Sequence, residues 1–369
     1  MDLFIYRNNG VKLEYVGMCS NAISILWIRR FFRGDSFTIE VPATPKNLEM
    51  FQKYHIVAYG DNAGYITAYD IDVKGKIIAK GTSFDGMLTR RILINYRTAD
   101  SLLTVISRNA VDLAEKDRKF AATVVDYSVD TGGLISEATQ FQQLSEYARV
   151  VGEIQNFGVL GRFNHDTNLI ELYGRYGIDR SKNQSVVKPV VFSDTFGNAA
   201  DITYSYNSAA EINAVYFYSN SKRDFLNHVD VNGFEEWFRR ENNGVGYNLT
   251  ERYNSAPVIT MTEYRQSGNE AIAWTVLDYS ATYSAARRQS EEIYSSAVDN
   301  VACRLVLHND YRNICDVGDT VTVYAKKYDI TTNKQITEIR EFTDSTKQTI
   351  EAVIGDPPKT FADAVKNVR

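Results

Sequence analysis

Residues 23–41 read ISILWIRRFFRGDSFTIEV, and the fold turns on what their centre does. After the centre, Phe37, Ile39 and Val41 alternate with Ser36, Thr38 and Glu40, the period of a strand with one buried face. Pro42 and Pro45 end that strand, because proline has no N–H to give a ladder. Before the centre, residues 23–32 are apolar on both faces, as a fully buried strand would be. Between the two, Arg33-Gly34-Asp35 carries turn chemistry, with Gly34 supplying a permissive backbone. Two readings compete with the hairpin. Three arginines among aromatics, RRFFRGDSF, suit a nucleic-acid surface. Arg33-Gly34-Asp35 is also the tripeptide that adhesion receptors recognise.

Further strands are expected at residues 56–59, 64–71 and 76–81, and such short strands with turn signals between them suggest a small barrel or sandwich; residues 1–97 are read as a first β-barrel domain. Residues 98–185 form an α/β domain. Thr98 can cap a helix whose first turn contains Asp100, with Leu102, Val105, Ile106, Ala110 and Leu113 at helical spacing. A second helix is expected from near Ser136, with Phe141, Leu144, Ala148 and Val151 on one side and its end near Gly158. A hairpin follows, turning at His165-Asp166-Thr167-Asn168. Residues 186–222 and 301–356 are β again and form a second barrel, with a turn at Asp316-Val317-Gly318-Asp319 before an alternating strand. Residues 223–300 are a polar insertion with a loop at Asn242-Asn243-Gly244-Val245-Gly246 and a polar helix near 284–298. Pro357-Pro358 open a C-terminal tail, 357–369. The fold class is mainly β with α+β insertions: two small β-barrel domains, a small α/β domain and the polar insertion.

Composition agrees. The 369 residues contain 24 tyrosines and 18 phenylalanines but six prolines, a β-favouring balance that also suits protein interfaces. The formal net charge is −5, so the chain as a whole is no polyanion binder. Three cysteines (Cys19, Cys303, Cys315) do not make a disulfide framework. No apolar run reaches the roughly 18 residues of a membrane span, and the start MDLFIYRNNG lacks a signal-peptide layout, so no membrane-spanning segment and no secretory export are expected.

Chemistry-bearing patterns are sparse. His55, His165, His228 and His308 are far apart, and Cys303, His308 and Cys315 lack the spacing of a zinc site. There is no GxSxG elbow and no glycine-rich phosphate loop between strand and helix. Glu235-Glu236 and Glu291-Glu292 are neighbours in sequence, which on a helix do not face one another. Asn183 and Asn248 begin glycosylation-type tripeptides that arise by chance. The pairs Arg90-Arg91, Arg239-Arg240 and Arg287-Arg288 are dispersed among acids. No catalytic residue, cofactor or metal is expected.

The order of motifs is more telling. RRFFRGDSFTIEVPAT is followed by FDGMLTRRI at 84–92, then LIELYGRYGIDRS, VVFSDTFGN and DVGDTVTVY. In this order, over about residues 20–355, the chain resembles the tail-hub proteins of long-tailed bacteriophages and related prophages, the N-terminal structural part of the tail-associated protein. The resemblance implies a homotrimeric ring in the virion, at the tail tip, assembled in the bacterial cytoplasm. Each subunit would supply two related barrels, so that three chains adapt a six-fold tail tube or distal-tail ring to a three-fold tip. Distal-tail and tail-tube proteins would be the partners, and DNA would meet the protein only in transit through a channel whose acidity repels phosphates. Larger relatives carry a fibre or a wall-cleaving domain after the hub; with the sequence ending at Arg369, neither activity is expected here. Arg29, Arg30 and Arg33 become candidate interface residues, since arginine is enriched at interfaces. A carbohydrate- or receptor-binding β-protein with glycosidase activity is the alternative, and exposed tryptophan platforms among Trp27, Trp237 and Trp274 would favour it.

Overall fold

A computed structural model describes residues 1–8, 13–94, 100–129, 141–207, 211–219, 234–239, 249–255, 259–268, 270–294, 298–308 and 310–354. The chain forms two compact units, Met1–Thr203 with Val301–Arg369, and Tyr204–Asn300.

The first unit opens with β1 (Leu3–Asn8), β2 (Leu13–Cys19), β3 (Ser24–Arg30) and β4 (Ser36–Pro42). A short helix, α1 (Pro45–Met50), is capped by Thr44, whose hydroxyl accepts the Asn47 N–H at 3.2 Å. Strands β5 (Ile56–Tyr59), β6 (Asn62–Ile71) and β7 (Lys76–Ser83) follow, and β7 runs into one helical turn, α2 (Phe84–Met87). The α/β segment holds α3 (Leu102–Ala110), β8 (Ala122–Val124), α4 (Leu144–Gln155), β9 (Phe157–Asn164) and β10 (Leu169–Tyr176). Two strands follow, β11 (Val191–Ser193) and β12 (Ala199–Asn207), whose last residues begin the second unit.

The second unit has β13 (Ala214–Ser219) between antiparallel β14 (Phe234–Arg239) and parallel β15 (Glu251–Ser255). A separate hairpin, β16 (Thr260–Ser267) with β17 (Glu270–Leu277), leads into α5 (Tyr279–Ile293). Its own core gathers Val215, Phe217, Phe238, Leu277, Ala286 and Tyr294. The chain returns through β18 (Val298–Leu307), β19 (Thr320–Ala325), β20 (Ile330–Asp344) and β21 (Gln348–Ile354).

The main sheet of the first unit runs β12-β18-β21-β20-β3-β4-β7-β6-β5-β1-β2, with β19 also on β20 and β11 on β19, and β8-β10-β9 form a separate three-stranded sheet. The seam is β3 against β20, antiparallel from Arg30↔Glu338 to Ser24↔Asp344. The first half of the 15-residue β20 pairs with β19, and its second half lies between β3 and β21. The fold is therefore mainly β with α+β additions, as the sequence indicates. Among the described residues the sheet stays open at β2 and β12 rather than closing into barrels. The joining strand is the reason: β20 ties the early and late strands together, so each set completes its ladder on the other. Buried clusters lie on both sides of the seam. Ile25, Trp27, Phe37 and Ile39 belong to one, and Phe31, Val317, Val321 and Ile339 to another.

Several local expectations change. β3 is not buried on both faces: it alternates, and its buried side is Ile25, Trp27 and Arg29. Gly34 is not among the glycines with positive φ. What it supplies is close approach, because a Cβ there would sit 2.2 Å from Gly86 Cα. α3 is capped by Ser101, whose hydroxyl accepts the Thr104 N–H, and it ends before the exposed Leu113; Thr98 lies outside the described residues. α4 starts at Leu144, eight residues after Ser136, itself outside the described residues. Phe141 instead sits in an exposed turn at φ 70°. The polar helix spans Tyr279–Ile293 rather than 284–298, with the Asp278 carboxylate accepting the Ala281 N–H at its start. The loop at 242–246 and the tail at 357–369 lie outside the described residues. The hairpin at β9–β10 turns between Asn164 and Leu169, where its turn residues place it, and β5 spans the expected 56–59.

Candidate functional site

β3 puts Arg29 on its buried side by simple alternation, and a buried guanidinium must be paired. Its partners come from the turn after β18. Arg29 Nη1 donates to Asp316 Oδ1 at 2.6 Å and to Tyr311 Oη at 2.7 Å, and Nη2 donates to Asp316 Oδ2 at 3.3 Å. The Tyr311 hydroxyl donates in turn to Glu341 Oε1 on β20 at 2.5 Å. Glu341 also accepts from Arg312 at 3.2 Å and from Asn62 Nδ2 at 2.8 Å. On the other side, Arg175 pairs with Asp319 and lies 3.6 Å from Asp316, and Arg180 Nε donates to Asp319 Oδ2 at 2.9 Å. Asp319 is fully buried and accepts the Asp316 and Ile178 N–H groups as well.

Four arginines (Arg29, Arg175, Arg180, Arg312) and three carboxylates (Asp316, Asp319, Glu341) thus form one continuous network. Burial opposes the charge on Arg29, but Asp316, then Tyr311, hold its pKa well above the ordinary value. Burial likewise opposes ionisation of Asp316, and Arg29, then Arg175, outweigh it and keep the carboxyl below its ordinary range. The Tyr311 hydroxyl is raised, first by burial, with Glu341 adding to the rise and Arg29 opposing it. These groups are held by one another, and the arrangement offers no poised base or nucleophile. It is a brace.

The brace explains the motif order. LIELYGRYGIDRS supplies Arg175 and Arg180, DVGDTVTVY supplies Asp316 and Asp319, and RRFFRGDSF supplies Arg29. VVFSDTFGN lies alongside through β11, which pairs in parallel with β19. Reading the sequence alone misses Arg175, Arg180, Tyr311, Asp316, Asp319 and Glu341. The one available signal is the pair of acids in the DVGD turn.

The three arginines singled out from sequence have different surroundings. Arg29 is 4% exposed and faces inward. Arg30 is half-buried, with Nε on Glu338 at 3.0 Å and Nη1 on the Gly34 carbonyl and the Ser36 hydroxyl. Arg33 is exposed. It lines a cavity of about 270 Å³ with Phe31, Phe32, Asp85, Glu146, Arg149 and Phe157.

Under the turn, Asp35 is only 5% exposed. Its Oδ1 accepts the Arg30 N–H at 2.7 Å, its N–H donates to Ser83 Oγ at 2.9 Å, and Ser83 Oγ donates to Asp85 Oδ1. Burial lifts the Asp35 carboxyl to about 6 against the pull of Arg29 and the Arg30 amide, and burial with Asp35 beside it lifts Asp85 well above the ordinary range. An adhesion tripeptide has to present its carboxylate, and this one is tucked inside.

Among the described residues no group of three or more His, Cys, Asp or Glu is placed to hold a metal ion. Cys303 and Cys315 are buried free thiols whose pKa values burial pushes up to about 12, which leaves them as thiols at neutral pH. Trp27 is buried and stacked on Phe37 at 4.8 Å, Trp274 is buried, and Trp237 is exposed. Among the described residues no helix is long and apolar enough to cross a membrane.

The same fold is found in solved structures of tail proteins. A prophage tail protein, gp18, from Listeria monocytogenes matches with a TM-score of 0.52 at 11% identity, over 100% of this chain and 98% of that one. The 43 kDa tail protein of prophage MuSo2 from Shewanella oneidensis gives 0.54 at 12% identity, over 96% and 98%. A tail protein from Neisseria meningitidis gives 0.52 at 11%, over 98% and 99%. No curated protein sequence matches the chain. A family model matches residues 2–356, and the chain belongs to the family it describes, the Siphovirus ReqiPepy6 Gp37-like proteins.

Proposed function

We propose that this protein is the structural hub of a phage tail tip, a homotrimeric ring that joins a six-fold tail tube or distal-tail ring to a three-fold tip and lets DNA pass. The observation that carries the reading is the β3–β20 seam with its buried brace. It joins the early strands β1–β7 and the late strands β18–β21 in one sheet, which suits a ring subunit with two tube-facing modules. Membership of a siphovirus family and the fold shared with prophage tail proteins support it. In this reading the protein acts in the virion, assembles in the host cytoplasm, contacts distal-tail and tail-tube proteins, and catalyses no reaction. Arg33, exposed at the turn, is the arginine best placed for a ring contact, while Arg29 and Arg30 hold that turn in place. The negative balance of the chain keeps transiting phosphates unbound.

The test is stoichiometry in the assembled particle. Tail tips released from virions and weighed by native mass spectrometry should hold three copies of this chain. One copy, or six, would overturn the hub reading. Arg33→Glu should leave the isolated chain folded and reduce its incorporation into tips.

A further inference from the structure

The first unit has a second concavity that the hub reading does not use. It measures about 410 Å³ and is lined by Arg7, Asn8, Lys53, Tyr54, His55, Tyr65, Met87, Arg90, Arg91 and Phe120, of which Lys53, Arg90 and Arg91 carry the argument. No Asp or Glu lines it among the described residues, in a chain whose net charge is −5. Arg7 is paired with Glu14 at 2.9 Å. For Lys53, Arg90 and Arg91 the interactions among the described residues are of another kind. Arg90 donates to the Tyr54 hydroxyl at 2.8 Å and lies over its ring at 4.6 Å, and Lys53 lies over the same ring at 4.8 Å. Arg91 stacks on Phe120 at 4.0 Å and donates to the backbone carbonyls of Arg118 and Arg90.

Two groups register the resulting positive field. The Tyr54 hydroxyl is held below its ordinary pKa by the Arg90 hydrogen bond and then by Lys53. Arg91 is lowered by burial and then by the like charges of Arg118 and Arg90. Tyr54 itself sits at φ 68°, an uncommon backbone for a bulky residue, and both cations lie close to its ring centroid, at 4.8 and 4.6 Å.

We propose that this pocket docks the carboxylates of an acidic segment on a neighbouring protein. Guanidinium groups bind carboxylates through paired hydrogen bonds, and the site supplies two of them beside an ammonium. The back wall is apolar, from Met87 and Phe120, and Arg91 is half-buried. A peptide side chain can enter such a concavity. Duplex DNA presents its phosphates on a convex rod and would reach the exposed Arg7, Lys53 and Arg90 but not the half-buried Arg91. The proposal does not depend on the trimeric ring.

The experiment is fluorescence anisotropy of a labelled oligoglutamate peptide titrated with the whole chain. We expect saturable binding that weakens with added salt. It should fall about tenfold or more in Arg90→Gln/Arg91→Gln, as loss of charge-assisted hydrogen bonds requires. Lys53→Gln/Arg90→Gln changes exposed side chains only and should show the same loss with an unchanged thermal melt. Labelled duplex DNA should bind more weakly and be indifferent to these variants. Absence of saturable peptide binding, wild-type peptide affinity in either variant, or tight DNA binding abolished by the variants would each overturn the proposal.

Discussion

Asp35 shows how far a single residue's meaning depends on its surroundings. As part of Arg33-Gly34-Asp35 it reads as a surface carboxylate, but in the fold it is buried beside Asp85 and its pKa is lifted to about 6 from an ordinary 3.8. A carboxyl with a raised folded pKa favours folding in its protonated form. Its contribution is present below pH 3.8 and is lost as pH rises through about 6. The wild type should therefore lose more urea stability than Asp35→Asn between pH 4 and pH 7. Identical pH profiles for the two proteins would contradict this account. Gly34 is the companion case. Alanine there brings a methyl to 2.2 Å from Gly86 Cα, backbone against backbone, so Gly34→Ala should cost about 3 kcal/mol in the same assay. The sequence correctly marks Gly34 as a residue that must be glycine, for the wrong reason. Freedom in φ and absence of a side chain select the same amino acid, and only the neighbour, 52 residues further along, separates them.

At the scale of elements, β4 is legible because its alternation is local and each residue type matches its face, and β5 because Ile56, Val57 and Ala58 are a short apolar run that is buried throughout. β3 defeats that logic at one position. Arg29 occupies a buried slot, and an arginine read by type alone is assigned to solvent. Its carboxylate partner is 287 residues away, so no window of sequence contains the reason. The start of α4 is missed because residues from Ser136 onward suit a helix by composition, while Phe141 at φ 70° interrupts it. The brace gives β3 and β20 a shared fate. Arg29→Met leaves Asp316 and Tyr311 without their main partner and should destabilise by about 3 kcal/mol, the cost of breaking a buried pair with Arg175 still at 3.6 Å. Hydrogen exchange should show the loss equally in β3 and β20 amides. Faster exchange confined to one strand would mean that the seam is not a cooperative unit.

For the whole molecule, the two compact units each have their own core, with Val215, Phe217 and Phe238 serving the second alone. Replacing residues 204–300 by a short glycine–serine linker should leave the first unit with a cooperative thermal transition and intact near-ultraviolet circular dichroism. A molten product would show that the first unit needs the second. The seam has one more consequence, and it concerns synthesis. Arg30 meets Glu338 across 308 residues, so β3 leaves the ribosome long before its outer neighbour exists. Throughout that interval its ladder groups are unpaired on one side, a state that invites pairing with another nascent chain. Contacts of such separation also slow folding, since the intervening loop must close first. The charges on β3, Arg29 and Arg30 at its end, are then useful twice: they hold the finished seam, and until β20 arrives they make the waiting edge a poor template for self-association.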